Sequence, residues 1–496
     1  MIPRAREFGV VVGLATVLTL AIPATASAET LQAMVDSIAQ RAPMNRAQLG
    51  VFAIDASTGR VLVSRQAEHG FTPASTFKLL LSAAALEVLG PQFRFKTQLI
   101  ARGTVVGSRL DGDLILVGGG DPVLTSRDLD DAAAAVVRAG IHEVSGTVLE
   151  DATLFDQRRW GPDWAWDGTP FYYQAPIQAL AVDEGTVGVV ITPGAQTGDA
   201  VSAKLLPPTG DYTIASRAVM GVGPYDDPAR CSRLFGTTQI LIVGRMAPGE
   251  SQQTVHCAVE DTAAFAGQVM RSALINAGVS VGRNPIGVRP PNVPLDVIDD
   301  SPLPAQARYP GARIIWSHES PTLIELLRTM LPKSDNFIAE HIEKMLAVEH
   351  LAQRGNFIGG ATVEQRFAVN QLGIDRDSLD IQDGSGLSAA DRITPRDLVT
   401  VLRWTAKQPY GNDFISALPR AGMDGTLAGR LAGTDAVGRV RAKSGYMQHS
   451  IALAGYADTL HHGRVIFAVF VNDATGDPGP YFDLEDEVVK DIVDEN

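Results

Sequence analysis

Two cysteines in 496 residues are too few for a disulfide scaffold. Neither has the setting of a zinc site: no Cys pair stands at finger spacing, and the nine histidines include no His-Glu-x-x-His. Positive charge is short as well. Lys plus Arg number 42 against 56 Asp plus Glu, a formal charge of −14, so no face is rich enough in cations to neutralise a phosphate backbone, and nucleic acid is not an expected partner. A Gly-x-x-x-x-Gly-Lys-[Ser/Thr] loop is missing, which removes a common nucleotide cradle. No apolar run reaches the ~20 residues that cross a bilayer, so no transmembrane anchor is expected, and the acidic stretch Asp483 to Asn496 is repelled by anionic lipid. No periodic repeat or low-complexity tract is present.

What is there is a globular composition, 45% apolar and 20% charged, with 48 Gly and 29 Pro that favour many turns over a long helical bundle. The length suits about three domains, or one large domain with insertions. Arg4 and Arg6 precede an apolar run from Phe8 to Ile22, then Pro23 and the small residues Ala26, Ser27 and Ala28. That order is the pattern of a secretory signal, so residues 1–28 are excluded from the fold. The mature chain is expected to be soluble and periplasmic or otherwise extracytoplasmic, with no Cys beside the cleavage point to carry a lipid. In an oxidising compartment Cys231 and Cys257, 26 residues apart, most simply form one disulfide; two free buried thiols are the alternative.

Along the chain, Gln48 to Ile54 and Val61 to Arg65 read as a hairpin, and Val437 to Lys443, Ile451 to Tyr456 and Val465 to Val471 repeat its β-rich character. These five runs predict one antiparallel sheet built from both chain ends. Between them the texture changes. Short strands such as Leu114 to Val117 alternate with an Ala-rich helix from Leu129 to Ala139, Val187 to about Val255 gives short β runs, and Thr262 to Val281 returns to α/β before the Pro-rich stretch Pro290 to Pro304. The order predicts an α/β insertion that itself carries a β-rich insertion.

Chemistry begins at Pro73-Ala74-Ser75-Thr76-Phe77-Lys78. Phe77, Leu81, Ala84 and Val88 stand at helical spacing, so a helix starts just before Ser75 and Lys78 lies on its neighbouring turn. A serine needs a base to become a nucleophile, and a lysine desolvated by apolar neighbours can be one. Ser334-Asp335-Asn336 falls between two helical stretches, Pro321 to Met330 and Phe337 to Val348, and Lys443-Ser444-Gly445 ends a strand. Singly, the three read as a cap, a cap and a turn. Together, Ser-x-x-Lys, Ser-x-Asn and Lys-[Ser/Thr]-Gly each occur once and fall in this order on helix, loop and strand, the combination of penicillin-binding proteins and serine β-lactamases.

On these motifs the chain resembles the D-alanyl-D-alanine carboxypeptidase and endopeptidase family, the low-molecular-mass penicillin-binding proteins with a large inserted region. The 259 residues from Ser75 to Ser334 leave room for that insertion, where a simple β-lactamase places its second motif nearer. The runs Gly112 to Pro122, Asp383-Gly384-Ser385-Gly386-Leu387-Ser388 and Asp424-Gly425-Thr426-Leu427 fit the family as well. The Gly-rich first run is read as a turn inside the insertion, since Asp121 would repel phosphate.

The implied fold is α+β: a penicillin-binding, serine β-lactamase-like domain with a five-stranded antiparallel sheet flanked by helices (29–93 and 316–496), an inserted α/β domain (94–187 and 260–315), and a nested β-rich domain (188–259).

The resemblance also implies roles. Ser75 attacks the D-alanyl-D-alanine carbonyl, Lys78 takes its proton, and Ser334 passes a proton to the leaving D-alanine. Asn336 bonds the substrate amide, and Lys443 and Ser444 meet the terminal carboxylate beside Gly445. The N–H groups of Ser75 and Tyr446 hold the oxyanion, and Asp151 recognises the free amine of the stem peptide. No metal or cofactor is required. The implied partners are peptidoglycan stem peptides, with β-lactams as acylating inhibitors. Ser444 stands where Thr is usual, and Tyr446-Met447 where small or Thr side chains are usual, so their bulk is expected to narrow the site or stack on the substrate. The competing readings are a class-D-like serine β-lactamase, disfavoured by the chain length and by Asn336, and a catalytically silent sensor, favoured by Tyr446.

Overall fold

The computed structural model describes residues 30–206, 212–223, 228–289 and 309–494. The secretory-signal reading and the Pro-rich stretch 290–304 lie outside them.

Five strands form one antiparallel sheet in the order Val440–Met447, Ser450–Asp458, Arg464–Asn472, Gln48–Asp55, Val61–Arg65. The last strand of the chain's β-rich end pairs with the first strand of its start, from Gln48 opposite Asn472 to Asp55 opposite Val465, as the shared character of the two ends predicts. The inner strand Ser450–Asp458 is buried through eight of its nine residues, which is why its sequence runs apolar without alternation: both faces of the sheet are covered. Helices Leu31–Gln40 and Gly479–Asp494 cover one face and share an apolar cluster with Val51, Phe467 and Val469. Helix Lys78–Val88 packs in the cluster on the other face, where Leu79 to Leu86 are all buried; a helix apolar on every side belongs in the middle of a core. The strand bearing Lys443 does not end there, as its Gly had suggested, but continues to Met447, because every residue from Val440 to Met447 finds a partner between Ser450 and Ala457.

The insertion is built on a mixed seven-stranded sheet around the hairpin Lys96–Val106 and Arg109–Val117, with helices Ser126–Arg138 and Thr262–Asn276 packed together beside it. Strand Arg313–Glu319 pairs with Lys96–Val106, so the inserted sheet runs on past the boundary expected at 315. The nested region adds small sheets, one of Gln253–Ala258, Thr186–Thr192 and Ser202–Leu206, another of Arg230–Arg233, Gln239–Val243 and Thr213–Ser216. Cys231 and Cys257 are bonded, with Cα atoms 5.7 Å apart, and the bridge ties these two small sheets together. The nested strands share one apolar cluster with the α/β sheet. A stretch of the insertion also crosses over: Phe155, Ala175, Ile177, Ala179 and Ala181 pack in the catalytic cluster. The Gly-rich run is not a turn as expected: Gly112 to Val117 belong to strand Arg109–Val117, and the chain then leaves the sheet with the N–H groups of Gly118 and Gly120 donated to the carbonyls of Asp151 and Ala179.

Candidate active site

Ala74–Phe77 is a single 3-10 turn leading into helix Lys78–Val88. In a 3-10 turn residues three apart eclipse one another, and this sets Lys78 under Ser75. Lys78 Nζ lies 3.1 Å from Ser75 Oγ, 2.7 Å from Asn336 Oδ1 and 2.8 Å from the Ser385 carbonyl, so all three of its donor directions are taken. The side chain is fully buried, and burial pushes Lys78 down to about 8, against the opposing pull of Glu340, Asp383, Asp335 and Asp391. A lysine at that value is partly free base near neutrality, as a serine activator must be.

Ser334 sits where helix Leu323–Lys333 stops, in the left-handed conformation (φ 60°, ψ 39°), with its N–H donated to the Met330 carbonyl. Asp335 then caps the next helix, Asn336–Leu351, by accepting from the Ile338 N–H. The elbow between two helices therefore presents Ser334 and Asn336 together. Asn336 accepts from Lys78 with Oδ1 and donates Nδ2 to the Tyr173 carbonyl at 3.0 Å, a contact from the insertion. From the other side, Lys443 Nζ donates to Ser334 Oγ at 2.9 Å and to the Ser444 carbonyl at 2.6 Å. Burial, and then the nearby charge of Lys78, push Lys443 well below an ordinary lysine. Its ammonium form is short of a counter-charge, which an arriving carboxylate would supply.

Two glycines close on Ser75. A Cβ on Gly445 would stand 2.7 Å from the Pro73 carbonyl and 3.1 Å from the Ser75 nitrogen, and one on Gly386 (φ 76°) would stand 2.0 Å from the Ala74 carbonyl oxygen. Any larger residue at either position pushes the nucleophile out of place. Ser444 Oγ donates to Thr426 Oγ1 at 2.6 Å, which gives the Asp424 to Leu427 run a contact beside the third motif. The Tyr446 ring packs on Phe482 of helix Gly479–Asp494, centroids 5.5 Å apart, and stays more than half exposed.

Asp151 stands at the end of strand Val148–Asp151, with its carboxylate buried and accepting from the Thr153 N–H, the Thr153 hydroxyl and the Tyr309 hydroxyl.

The loop 383–388 had no role from sequence and turns out to hold Lys78. Asp383 accepts from the N–H groups of Gly386 and Ser388 and from Trp164 Nε1, while Glu340 and Glu343 accept from those of Ser385 and Gly384. The result aims the Ser385 carbonyl at Lys78. The available signal was Glu340 and Glu343, three residues apart and so on one face of a helix, just past Asn336.

Residues 31–480 match the model of the D-Ala-D-Ala carboxypeptidase 3 (S13) family. The chain is 33% identical to the D-alanyl-D-alanine carboxypeptidase of Actinomadura sp. (strain R39) over 90% of its length and 81% of the relative's, and 24% identical to the carboxypeptidase DacB of Haemophilus influenzae over 89% of each. Among solved structures, penicillin binding protein 4 (dacB) from Haemophilus influenzae superposes with a TM-score of 0.78 at 24% identity, covering 93% of this chain and 99% of that one. With a lysine-backed serine, a Ser-x-Asn elbow and a Lys-Ser-Gly strand arranged around one point, and a family match over nearly the whole chain, the protein belongs to the D-Ala-D-Ala carboxypeptidase 3 (S13) family.

Proposed function

We propose that the protein is a serine-type D-alanyl-D-alanine carboxypeptidase and endopeptidase that trims peptidoglycan stem peptides through an acyl-enzyme on Ser75, and that β-lactams acylate the same serine. Its working place is outside the cytoplasmic membrane, a reading supported by the secretory pattern of residues 4–28.

Lys78 takes the Ser75 proton as Oγ bonds to the carbonyl carbon of the penultimate D-alanine. The oxyanion meets the N–H groups of Ser75 and Tyr446. As the C–N bond breaks, Ser334 hands its proton to the departing amine and takes one from Lys443, to which it is bonded. Water then cleaves the ester and restores Ser75: the attacking water returns a proton through Ser334 to Lys443, and Lys78 returns its own to Ser75 Oγ. Asn336 bonds the substrate amide, and Lys443 with Ser444 receives the terminal carboxylate, a charge-assisted pairing. In an endopeptidase cut the leaving amine belongs to a cross-linked stem peptide. The observation that carries the reading is the 3.1 Å contact between buried Lys78 and Ser75, with Ser334 and Lys443 paired at 2.9 Å in the same site. A peptide ending in D-alanyl-D-alanine should lose one D-alanine with the wild-type chain and none with Ser75→Ala. Equal D-alanine release by both proteins would remove Ser75 from the reaction.

A further inference from the structure

The insertion brings a second surface to the edge of the catalytic site. Phe171 and Tyr173 stack with centroids 5.4 Å apart and planes at 11°, and Tyr172 stands edge-on to Tyr173 at 5.7 Å. Tyr172 is 62% exposed and Tyr173 39%, an open aromatic group of the kind that marks a binding face. Phe171 and Tyr172 form one wall of a cavity of about 450 Å³, and Glu184, Arg230, Thr254 and His256 supply polar groups around it. The wall is firmly built: Phe171 bridges to Cys257 through the backbone, and the disulfide partner Cys231 lines the cavity.

A hydrogen bond joins the aromatic wall to the catalytic elbow, the Tyr173 carbonyl accepting from Asn336, and the Glu184 carboxyl feels the charges of Asp335 and Lys333, the residues on either side of Ser334. Burial and Asp335 lift Glu184 to about 7, so near neutrality it offers both a donor and an acceptor.

Aromatic faces opposite a ring of carboxyl, guanidinium, imidazole and hydroxyl groups suit a ligand with an apolar C–H face and a polar edge, which is the chemistry of a pyranose. The substrate carries such a ring. A stem peptide of about five residues spans at most about 18 Å when extended, so the sugar at its far end falls on the protein surface adjoining the Ser75 cleft. We propose that the cavity between Phe171–Tyr173 and the disulfide-linked strands is a glycan subsite, holding an N-acetylated hexosamine of the peptidoglycan strand while its stem peptide is cut at Ser75. This assignment rests on the proposed peptidase reading for its substrate.

The test compares the full secreted protein on a free pentapeptide and on the same peptide still attached to glycan, with direct binding of glycan chains stripped of peptide followed by calorimetry. Wild type should bind the stripped glycan and cut the glycan-linked peptide more efficiently than the free one. Tyr172→Ala, which removes the stacking face, should lower kcat/KM on the glycan-linked substrate about five- to ten-fold and leave the free pentapeptide within about two-fold. Thr254→Trp, which fills the cavity from an exposed strand position, should do the same without touching the aromatic group. Equal losses on both substrates would overturn the subsite and make the cavity part of the peptide path. Wild type that cuts free pentapeptide but neither binds stripped glycan nor prefers the linked form would also overturn it, with the peptidase reading intact. Failure on free pentapeptide strikes the peptidase reading instead, and glycan binding by calorimetry still decides the subsite.

Discussion

Two buried lysines share one small site, and their different partners give them different work. Lys78 is held against Ser75 with its pKa pushed down to about 8, so roughly a tenth of it is free base at pH 7 and most of it above pH 9. Deprotonation makes the base, so kcat/KM on a free peptide should climb with pH through about 8 and then level; a profile flat from pH 6 to 9 would show that another group takes the proton. Lys443 is driven low by burial and by Lys78, yet it must be an ammonium to hold a carboxylate. Binding of a D-alanyl-D-alanine peptide to Ser75→Ala near pH 8 should therefore take up protons, seen as a dependence of the calorimetric heat on the buffer's ionisation enthalpy. The same contact predicts selectivity. Lys443→Ala should cost free-acid peptides roughly ten- to a hundred-fold in kcat/KM, from a charge-assisted bond of ~1.5–3 kcal/mol, and cost amide-capped analogues less. Equal proportional losses would leave Lys443 a structural prop.

At the scale of elements, the site is a meeting of a 3-10 turn, a helix–helix elbow, an edge strand and the loop 383–388. The first three were legible in the sequence because their motifs, each bland alone, occur once and in order: Ser75 three residues before Lys78, Ser334 and Asn336 at a break between two apolar periodicities, and Lys443-Ser444-Gly445 in a β-rich run. The fourth was not. What Lys78 receives from the loop is the Ser385 carbonyl, a backbone group with no residue signature, and the loop is shaped by carboxylates whose burial no pattern announces. The direction of the Tyr446 ring was hidden for a similar reason, since it depends on Phe482 of the last helix folding back onto the sheet. The hydrogen bonds of Asp151 to Thr153 and Tyr309 were hidden too, since they arise only in the folded insertion. The loop's role can be checked. Glu340 is the largest charge opposing the depression of Lys78, and it accepts from the Ser385 N–H. Glu340→Gln keeps an acceptor and removes the charge, so the acylation pH profile should move to lower pH by up to about one unit. A lower rate with an unmoved profile would assign Glu340 to folding alone.

Across the whole molecule, the catalytic core carries an acidic cluster that is stable only when partly protonated. Burial lifts Glu340 to about 7 and raises Glu343, Glu364 and Asp391 well above ordinary carboxyls, and both Glu364 oxygens lack a hydrogen-bond partner among the described residues. In the unfolded chain these groups ionise near pH 4 to 4.5, so above that the native state binds protons that the unfolded state has released. The stabilisation is complete below pH 4 and is lost as pH rises through the folded values. Tm should accordingly fall from pH 5.5 to pH 8, and Glu364→Gln should flatten the fall; an unchanged slope would mean the cluster is ionised throughout. The disulfide lies in the nested sheets, so reduction should lower the stability of the insertion while leaving acylation of Ser75 largely intact.

The most direct test of the central claim is the covalent one: intact mass and peptide mapping after exposure to a penicillin, followed over time. The account predicts one adduct per chain, on the peptide that carries Ser75, formed faster as pH rises through about 8, lost slowly, and absent from Ser75→Ala. An adduct on another residue, an unmodified wild-type chain, or rapid turnover of the drug in the manner of a β-lactamase would contradict it.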